Sequence, residues 1–294
     1  MLKLGVIGIS EGNGHPYSWS AIFNGYDPVA MADCAYPVIP EYLSKQTFPD
    51  ACIPGAQVTH IWTQERGLSE HIAKAALIPN LVEQYKDMIG EVDAVLLARD
   101  DAENHYAMSK VFLDAGIPLF IDKPLAYSIT EAKRILELKK HSYDIFTCSA
   151  LRYAEELYLS PEEKEVLGEL KRIYARIPKN WKNYSIHIID PVLNYLNDDD
   201  GIVSMKRMDE QDSTQVSVEW QSGLITTFDV VGAKALPMEI RLYGSKSTKI
   251  LMFEDTFSAF KNSLMRFLRQ IEERRLLIND TRTLKAIRIV EAGC

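Results

Sequence analysis

Leu4-Gly5-Val6-Ile7-Gly8-Ile9-Ser10-Glu11-Gly12-Asn13-Gly14-His15-Pro16 is the stretch that decides the fold. An apolar run of strand length passes into a glycine-rich turn and then reaches a proline suited to the first turn of a helix, where its missing N–H costs nothing. Strand, glycine turn and helix in that order open a nucleotide-binding parallel sheet. The glycines let the backbone turn tightly and approach a pyrophosphate, and the helix N-terminus faces that anion with its N–H groups. The turn departs from Gly-x-Gly-x-x-Gly: Ser10 stands at the second glycine, and Gly14 fits the third only with one extra residue. Glu11 adds a negative charge beside the expected phosphates. Gly8, Ser10, Gly12, Asn13 and Gly14 are the candidate cofactor contacts; the same composition also suits a glycine turn with no ligand.

Downstream, short apolar runs at 4–9, 28–33, 58–63, 93–98, 118–122 and 144–149 alternate with helical patterns such as 101–115 and 129–141. Runs apolar throughout belong to strands covered on both faces, and strands alternating with helices make a doubly wound parallel sheet. Asp33 closes the second of these runs. An acid some 20 residues beyond the glycine turn bonds the adenosine ribose and repels a 2′-phosphate, which favours NAD and leaves NADP open. The stretch 34–56, with prolines at 37, 40, 49 and 54, interrupts the rhythm, and loops of that length are often functional.

The second half reads differently. A strand at 171–178 and a helix at 181–196 precede strands at 202–208, 214–222, 224–231, 238–243 and 248–253, with alternation at Val216, Val218 and Trp220. That is an open, mainly antiparallel sheet in an α+β domain. An amphipathic helix carrying Phe257, Phe260, Leu264, Phe267, Leu268 and Ile271 follows, with a shorter one at 283–292. The division predicted is a Rossmann domain over 1–123 and a substrate-binding, oligomerising domain over 124–294.

Composition narrows the partners. With 294 residues, 47% hydrophobic and 25% charged, the chain is an ordinary globular one. Its 33 basic and 41 acidic side chains, net −8, argue against nucleic acid. No apolar run approaches the ~20 residues that span a bilayer. Cys34, Cys52, Cys148 and Cys294 are scattered, and the expectation is a reduced cytoplasmic setting without a zinc site. The run Asp198-Asp199-Asp200 reads as a solvated loop rather than a metal site.

Leu119-Phe120-Ile121-Asp122-Lys123-Pro124 carries the chemistry. Ligands of open α/β sheets bind beyond the carboxyl ends of the strands, where Lys123 emerges; by itself the tripeptide is also an ordinary surface turn. Asp122-Lys123-Pro124 resembles the Glu-Lys-Pro hallmark of the Gfo/Idh/MocA oxidoreductases, NAD(P)-dependent enzymes acting mostly on sugars and cyclitols. The resemblance continues in Val92-Asp93-Ala94-Val95-Leu96-Leu97, in His105 and Ala107, in Ala115-Gly116-Ile117-Pro118, in Ser149-Ala150-Leu151-Arg152-Tyr153, and in Met238-Glu239-Ile240-Arg241-Leu242-Tyr243-Gly244. It implies that Asp122, Lys123 and His105 lie on the cofactor side, and that Arg152 and Tyr153 lie on the substrate side. Arg99 either meets a phosphate or an anionic substrate or pairs with Asp100 or Asp101.

On the helix at 181–196, Asn183, His187 and Asp190 stand at i, i+4 and i+7, one face. By resemblance, that face meets the nicotinamide and substrate, His187 takes the proton of the substrate hydroxyl, and Lys123 orients that hydroxyl. The family's usual aspartate is replaced by Asn183, which can bond a substrate but cannot take a proton. Tyr184 neighbours the face, and Pro191 removes a helix hydrogen bond. His15, Tyr17 and Trp19 form a polar-aromatic cluster after the glycine turn. The function implied is hydride transfer between NAD(P) and a secondary alcohol or ketone of a carbohydrate-like substrate, in a homodimer or homotetramer formed through the C-terminal sheet. The alternative is a catalytically impaired member that senses NAD(P) or a sugar.

Overall fold

The computed structural model describes residues 1–294 and contains two compact units. The first comprises Met1–Leu125, Lys133–Thr147 and Ser263–Ile278; the second comprises Ala126–Ala132, Cys148–Asn262 and Asn279–Cys294. No helix is long and apolar enough to cross a membrane.

The first unit is a Rossmann fold. Strands β1 (Leu2–Ile7), β2 (Ala56–Trp62), β3 (Asn80–Leu81), β4 (Ala94–Leu97), β5 (Leu119–Ile121) and β6 (Ile145–Phe146) lie in the order β3-β2-β1-β4-β5-β6. All pair in parallel. Every residue of β4 and β5 is buried, as continuous apolar runs require. The order turns back between β1 and β4, and ligands of such sheets bind above that switch. Helix α1 (His15–Asn24) follows β1, α4 (Arg66–Ala75) follows β2 and α5 (His105–Asp114) follows β4.

One strand expected from the sequence is a helix. Residues 28–33 contribute α2 (Pro28–Ala32), followed by α3 (Val38–Leu43) within the proline-rich excursion. Asp27 caps α2 by accepting from the Ala30 N–H at 2.9 Å, and Pro28 opens it. Cap and proline are helix-start chemistry, and they outweigh the apolar pattern of a five-residue run. The second strand of the sheet is therefore β2, and Asp33 is an exposed residue capping α2 rather than a strand end.

Helix α10 (Thr256–Glu273) completes the first unit's core with its residues from 263 onward. Phe267 lies 5.6 Å from Phe120 and 6.0 Å from Phe146, ring centre to ring centre, and both strand residues are buried. Gln270, fully buried, donates to the carbonyls of Tyr143 and Ile145 and accepts from the Leu277 N–H. Its amide thus satisfies backbone groups that would otherwise be buried unpaired.

The second unit is built on a mixed sheet of order β12-β11-β7-β10-β9-β8. Its strands are β7 (Leu170–Ile177), β8 (Ile202–Glu210), β9 (Ser213–Trp220), β10 (Ile225–Val230), β11 (Glu239–Gly244) and β12 (Thr248–Met252). Only the β7–β10 pair is parallel. Ile173, Ala175, Val216, Val218, Trp220, Phe228, Ile240 and Leu242 point to one face and join its core. The opposite face carries Tyr174, Arg176, Ser217, Thr227, Glu239 and Arg241, tied by side-chain bonds such as Ser217–Thr227 and Arg176–Glu239. The expected helix at 181–196 is three shorter pieces: α8 (Trp181–Tyr184), α9 (Ile186–Val192) and a 3-10 turn at Leu193–Tyr195. A 3-10 bond from Ile188 N–H to the Ser185 carbonyl marks the first break, and Pro191, lacking an N–H, precedes the second. Helices α6 (Ile129–Leu136), α7 (Pro161–Leu167) and α11 (Asp280–Gly293) complete the fold.

Replacing Phe267 by Ala removes the ring that β5 and β6 share and is expected to destabilise the first unit by roughly 3–5 kcal/mol; denaturant titration followed by Trp fluorescence reads the loss.

Candidate active site

In the first unit, a buried carboxylate anchors the glycine turn. Asp122, at the carboxyl end of β5 and 1% exposed, accepts from three groups: Asn13 Nδ2 at 2.7 Å, His15 Nδ1 at 2.7 Å and the Lys123 N–H at 2.8 Å. Burial alone would raise its pKa, but His15 and Lys123 together with these hydrogen bonds hold the carboxyl well below the usual range. Asn13 also turns its Oδ1 to the His15 N–H, 2.9 Å away. The His15 ring stacks on Trp19 at 4.7 Å, and Trp19 stacks on Phe120 at 4.8 Å. Of the cluster read as polar-aromatic in the sequence, His15 and Trp19 thus form a column between α1 and β5, whereas the Tyr17 hydroxyl bonds the His71 ring.

Lys123 is buried, and its Nζ lies 3.3 Å from Asp100 Oδ2, beyond β4. The other oxygen of Asp100 accepts from Ser10 Oγ at 2.5 Å, and the Asp100 N–H returns a bond to that Oγ. Two carboxylates thus tie Ser10 and Asn13, on either side of the turn, to the ends of β4 and β5. Asp100, weighed in the sequence only as a partner for Arg99, instead meets Ser10 and Lys123. Of the alternatives for Arg99, the structure shows the pair with Asp101: Nε to Oδ1 at 2.8 Å, with a second bond from Nη2. His105 is fully buried, with both ring nitrogens against backbone carbonyls, those of Leu125 and Arg99.

The turn itself runs from Ser10 to Asn13, closed by the Asn13 N–H on the Ser10 carbonyl, with Gly12 at φ +77°. Only a residue without Cβ takes that conformation readily. The space a Cβ would fill at Gly12 is open, whereas at Gly14 it would strike the Tyr36 ring and Ile39 at 2.6–2.7 Å. Gly14 therefore admits the proline-rich excursion, and Gly12 leaves an open approach. The amides of Glu11, Gly12 and Gly14 make no bond within the chain. These donors beside an open glycine fit a pyrophosphate. The Gln64 side chain, just past β2, brackets the turn by accepting from the Ile9 N–H and donating to the Ile9 carbonyl. The acid that follows the actual second strand is the exposed Glu65.

In the second unit, a further set of predicted residues meets. Asp190, 4% exposed, accepts from Arg152 Nη1 at 2.5 Å and from the Ser149 N–H at 2.9 Å. Burial works against the Arg152 charge, but Asp190 overrides it and keeps the guanidinium above its usual range. Ser149 Oγ lies 2.8 Å from His187 Nδ1. Asn183 Oδ1 accepts from the Tyr127 hydroxyl at 3.1 Å, and Lys182 lies over the Tyr127 ring. Tyr184 bonds Lys179 through its hydroxyl, with its ring centre 5.6 Å from that of His187. Tyr153 lies beneath the Arg152 guanidinium at 6.0 Å, and its carbonyl accepts from Asn262. Ser149 and Tyr127, the partners of His187 and Asn183, are the residues that spacing alone missed. Lys123 belongs to the first unit, whereas Asn183, His187, Asp190, Arg152, Tyr153 and Tyr184 belong to the second.

A depressed carboxyl contributes stability above its unfolded pKa of about 4, and that contribution is lost as the pH falls from there toward the lower folded value. Asp122→Asn is expected to cost roughly 3–5 kcal/mol at pH 7 by removing the charge that the Asn13, His15 and Lys123 N–H donors meet, and to lose stability less steeply than wild type below pH ~4. Denaturation midpoints measured from pH 7 to pH 2.5 check both; parallel acid limbs would contradict the assignment.

Comparison with known proteins adds three findings. Residues 41–149 match the family model described as an oxidoreductase family with an NAD-binding Rossmann fold, GFO_IDH_MocA. No curated protein matches the chain. Solved structures match over nearly the whole length. Myo-inositol dehydrogenase from Lactobacillus casei, in complex with NAD(H) and myo-inositol, is 14% identical, with 100% of this chain and 93% of that one covered and a TM-score of 0.75. Myo-inositol 2-dehydrogenase from Lactobacillus plantarum is 13% identical, with 99% and 96% covered and a TM-score of 0.73. Biliverdin reductase from Synechocystis, with biliverdin and NADP+, is 12% identical, with 99% and 98% covered and a TM-score of 0.70. Residues 41–149 thus match the Gfo/Idh/MocA oxidoreductase model, and the chain carries over its full length the fold that these structures share.

Proposed function

We propose that the chain is an NAD(P)-dependent oxidoreductase interconverting a secondary alcohol and a ketone on a sugar, sugar derivative or cyclitol. The observation that carries this reading is Asp122-Lys123-Pro124 at the carboxyl end of β5, with Asp122 holding the glycine turn and Lys123 buried beside Asp100. The inositol dehydrogenases of the same fold support the substrate class. The biliverdin reductase shows that the fold alone does not choose it.

The bound dinucleotide supplies the hydride acceptor or donor. The amides of Glu11, Gly12 and Gly14 would hold its pyrophosphate. Asp33, off any strand, gives way to Glu65 as the acid for the adenosine ribose; NAD is the preferred cofactor, with NADP open. Lys123 orients the reacting oxygen and stabilises negative charge developing on it. His187 exchanges the proton, a role that suits a histidine side chain. Asn183, Tyr184, Arg152, Tyr153 and Asp190 shape the substrate side, Arg152 and Asp190 through their buried pair. The second sheet's exposed face, with Tyr243, Ile250 and Met208 among its accessible side chains, is the proposed dimer or tetramer contact, and light scattering at micromolar concentration should give a mass at least twice 33.4 kDa.

The test is turnover on a panel of inositols and hexoses with either cofactor. Lys123→Ala and His187→Ala should each lower kcat by at least ~10²-fold, the lower end of what a positioned acid–base group supplies, while NADH fluorescence titration still shows binding. Wild-type turnover in both variants would remove the assignment. The replacement of an expected carboxylate by Asn183 favours one second reading, a sensor of NAD(P) or sugar; NADH binding without turnover across the panel would select it.

A further inference from the structure

The proline-rich excursion between α1 and β2 is tied at both ends far from the glycine turn. The Asp27 N–H donates to the carbonyl of Ala75, the last residue of α4, at 2.9 Å, and the Ile53 N–H donates to the Ile22 carbonyl, near the end of α1, at 3.0 Å. Helix α1 is 10 residues long, about 15 Å, and it begins at the turn. Between its two ties the chain therefore travels the length of α1 and back, out through α2 and home through α3. Its apex is Tyr36, which lies against Gly14: Cγ and Cδ2 of the ring stand 2.7 Å from the place of a Gly14 Cβ. The apex is fixed. Ile39, Tyr42 and Leu43 of α3 are buried, and the Tyr36 ring lies 6.2 Å from that of Tyr17, whose hydroxyl is bound to His71.

Packing against Gly14 asks only for a ring, and phenylalanine would supply one. The hydroxyl is what packing leaves unexplained. Tyr36 is partly exposed, and its hydroxyl makes no hydrogen bond within the chain. Burial, and after it Cys34 and Asp100, push the phenol above its usual range, so it keeps its proton and stays a hydrogen-bond donor at neutral pH. The hydroxyl is thus within electrostatic range of the carboxylate that holds Ser10. From Gly8 to Gly14 the only charge on the turn is the negative one of Glu11. An anion bound there depends on neutral donors, and the backbone offers the amides of Glu11, Gly12 and Gly14. We propose that Tyr36 is a further cofactor-binding residue, whose hydroxyl donates to the pyrophosphate of the dinucleotide from the apex of the α2–α3 excursion. The proposal rests on the reading of the turn as the pyrophosphate site. It gives the excursion a role: a fixed clasp that brings a neutral donor to a turn without a cation of its own.

Tyr36→Phe keeps the ring on Gly14 and removes only the hydroxyl. In full-length protein, fluorescence titration with NADH, or with NADPH where the wild type binds it better, should show Kd raised about tenfold in the variant, the loss of one hydrogen bond to a charged group. The thermal midpoint without cofactor should stay at the wild-type value; if it falls, both proteins are compared at a temperature where both are folded. The contact itself is read by 31P spectra of the bound, oxidised dinucleotide, in which at least one of the two pyrophosphate resonances should move between wild type and variant. A Kd within about twofold of wild type overturns the proposal. So does a weaker Kd with neither pyrophosphate resonance moved, because that loss would belong to the ring's packing. A wild type that binds neither NADH nor NADPH removes the reading of the turn and this proposal with it, whereas tight binding indifferent to Tyr36→Phe removes the proposal alone.

Discussion

One buried negative charge holds the first unit's functional end in place. A carboxylate sealed from water is unfavourable unless each oxygen is met by donors and its charge is balanced nearby. Asp122 meets that demand by drawing in Asn13, His15 and the backbone of Lys123. These groups come from the glycine turn, the first residue of α1 and the end of β5, so their geometry is set by one site. Asp100 repeats the arrangement one strand over, with Ser10 and Lys123 as its partners. The turn is consequently shaped from beneath by side chains, which accounts for how an irregular set of glycines can still hold an open approach at Gly12.

The second unit shows the same economy with different groups. Asp190 is held by the Arg152 charge and by the Ser149 N–H, and Ser149 passes that rigidity to His187. A side chain fixed this way loses little rotamer freedom when a ligand arrives. Asn183 is fixed through Tyr127 rather than through a charge. An amide there keeps hydrogen-bonding capacity while removing a negative charge from the face.

The parts of the molecule written in local pattern were legible from the chain. β1, β4 and β5 are apolar runs buried on both faces, and the strands of the second sheet alternate between core and surface at Val216, Val218 and Trp220. Residues 28–33 misled because five apolar residues fit either a buried strand or a short helix; Asp27 and Pro28 held the deciding information. The long helix at 181–196 was legible in its face but not in its breaks, which depend on one tightened turn at Ser185 and on Pro191. Lys123 and His187 stood out as residue types at suggestive places. Their partners did not: Asp100 lies 23 residues before Lys123 and Ser149 lies 38 before His187. Pairs of that separation are set by strand order and helix docking, and neither leaves a local trace.

The aromatic contact of Phe267 with Phe120 and Phe146, and the hold of Gln270 on the carbonyls of Tyr143 and Ile145, bear on how the protein emerges from the ribosome. The nucleotide-binding sheet is complete by Phe146, yet its core is closed by a helix made more than a hundred residues later. During vectorial synthesis that sheet must wait, with an aromatic hollow uncovered, until the chain beyond Ile278 has been extruded. The first domain to be translated is therefore among the last to be finished, and the nascent chain carries exposed apolar surface for nearly the whole of its manufacture.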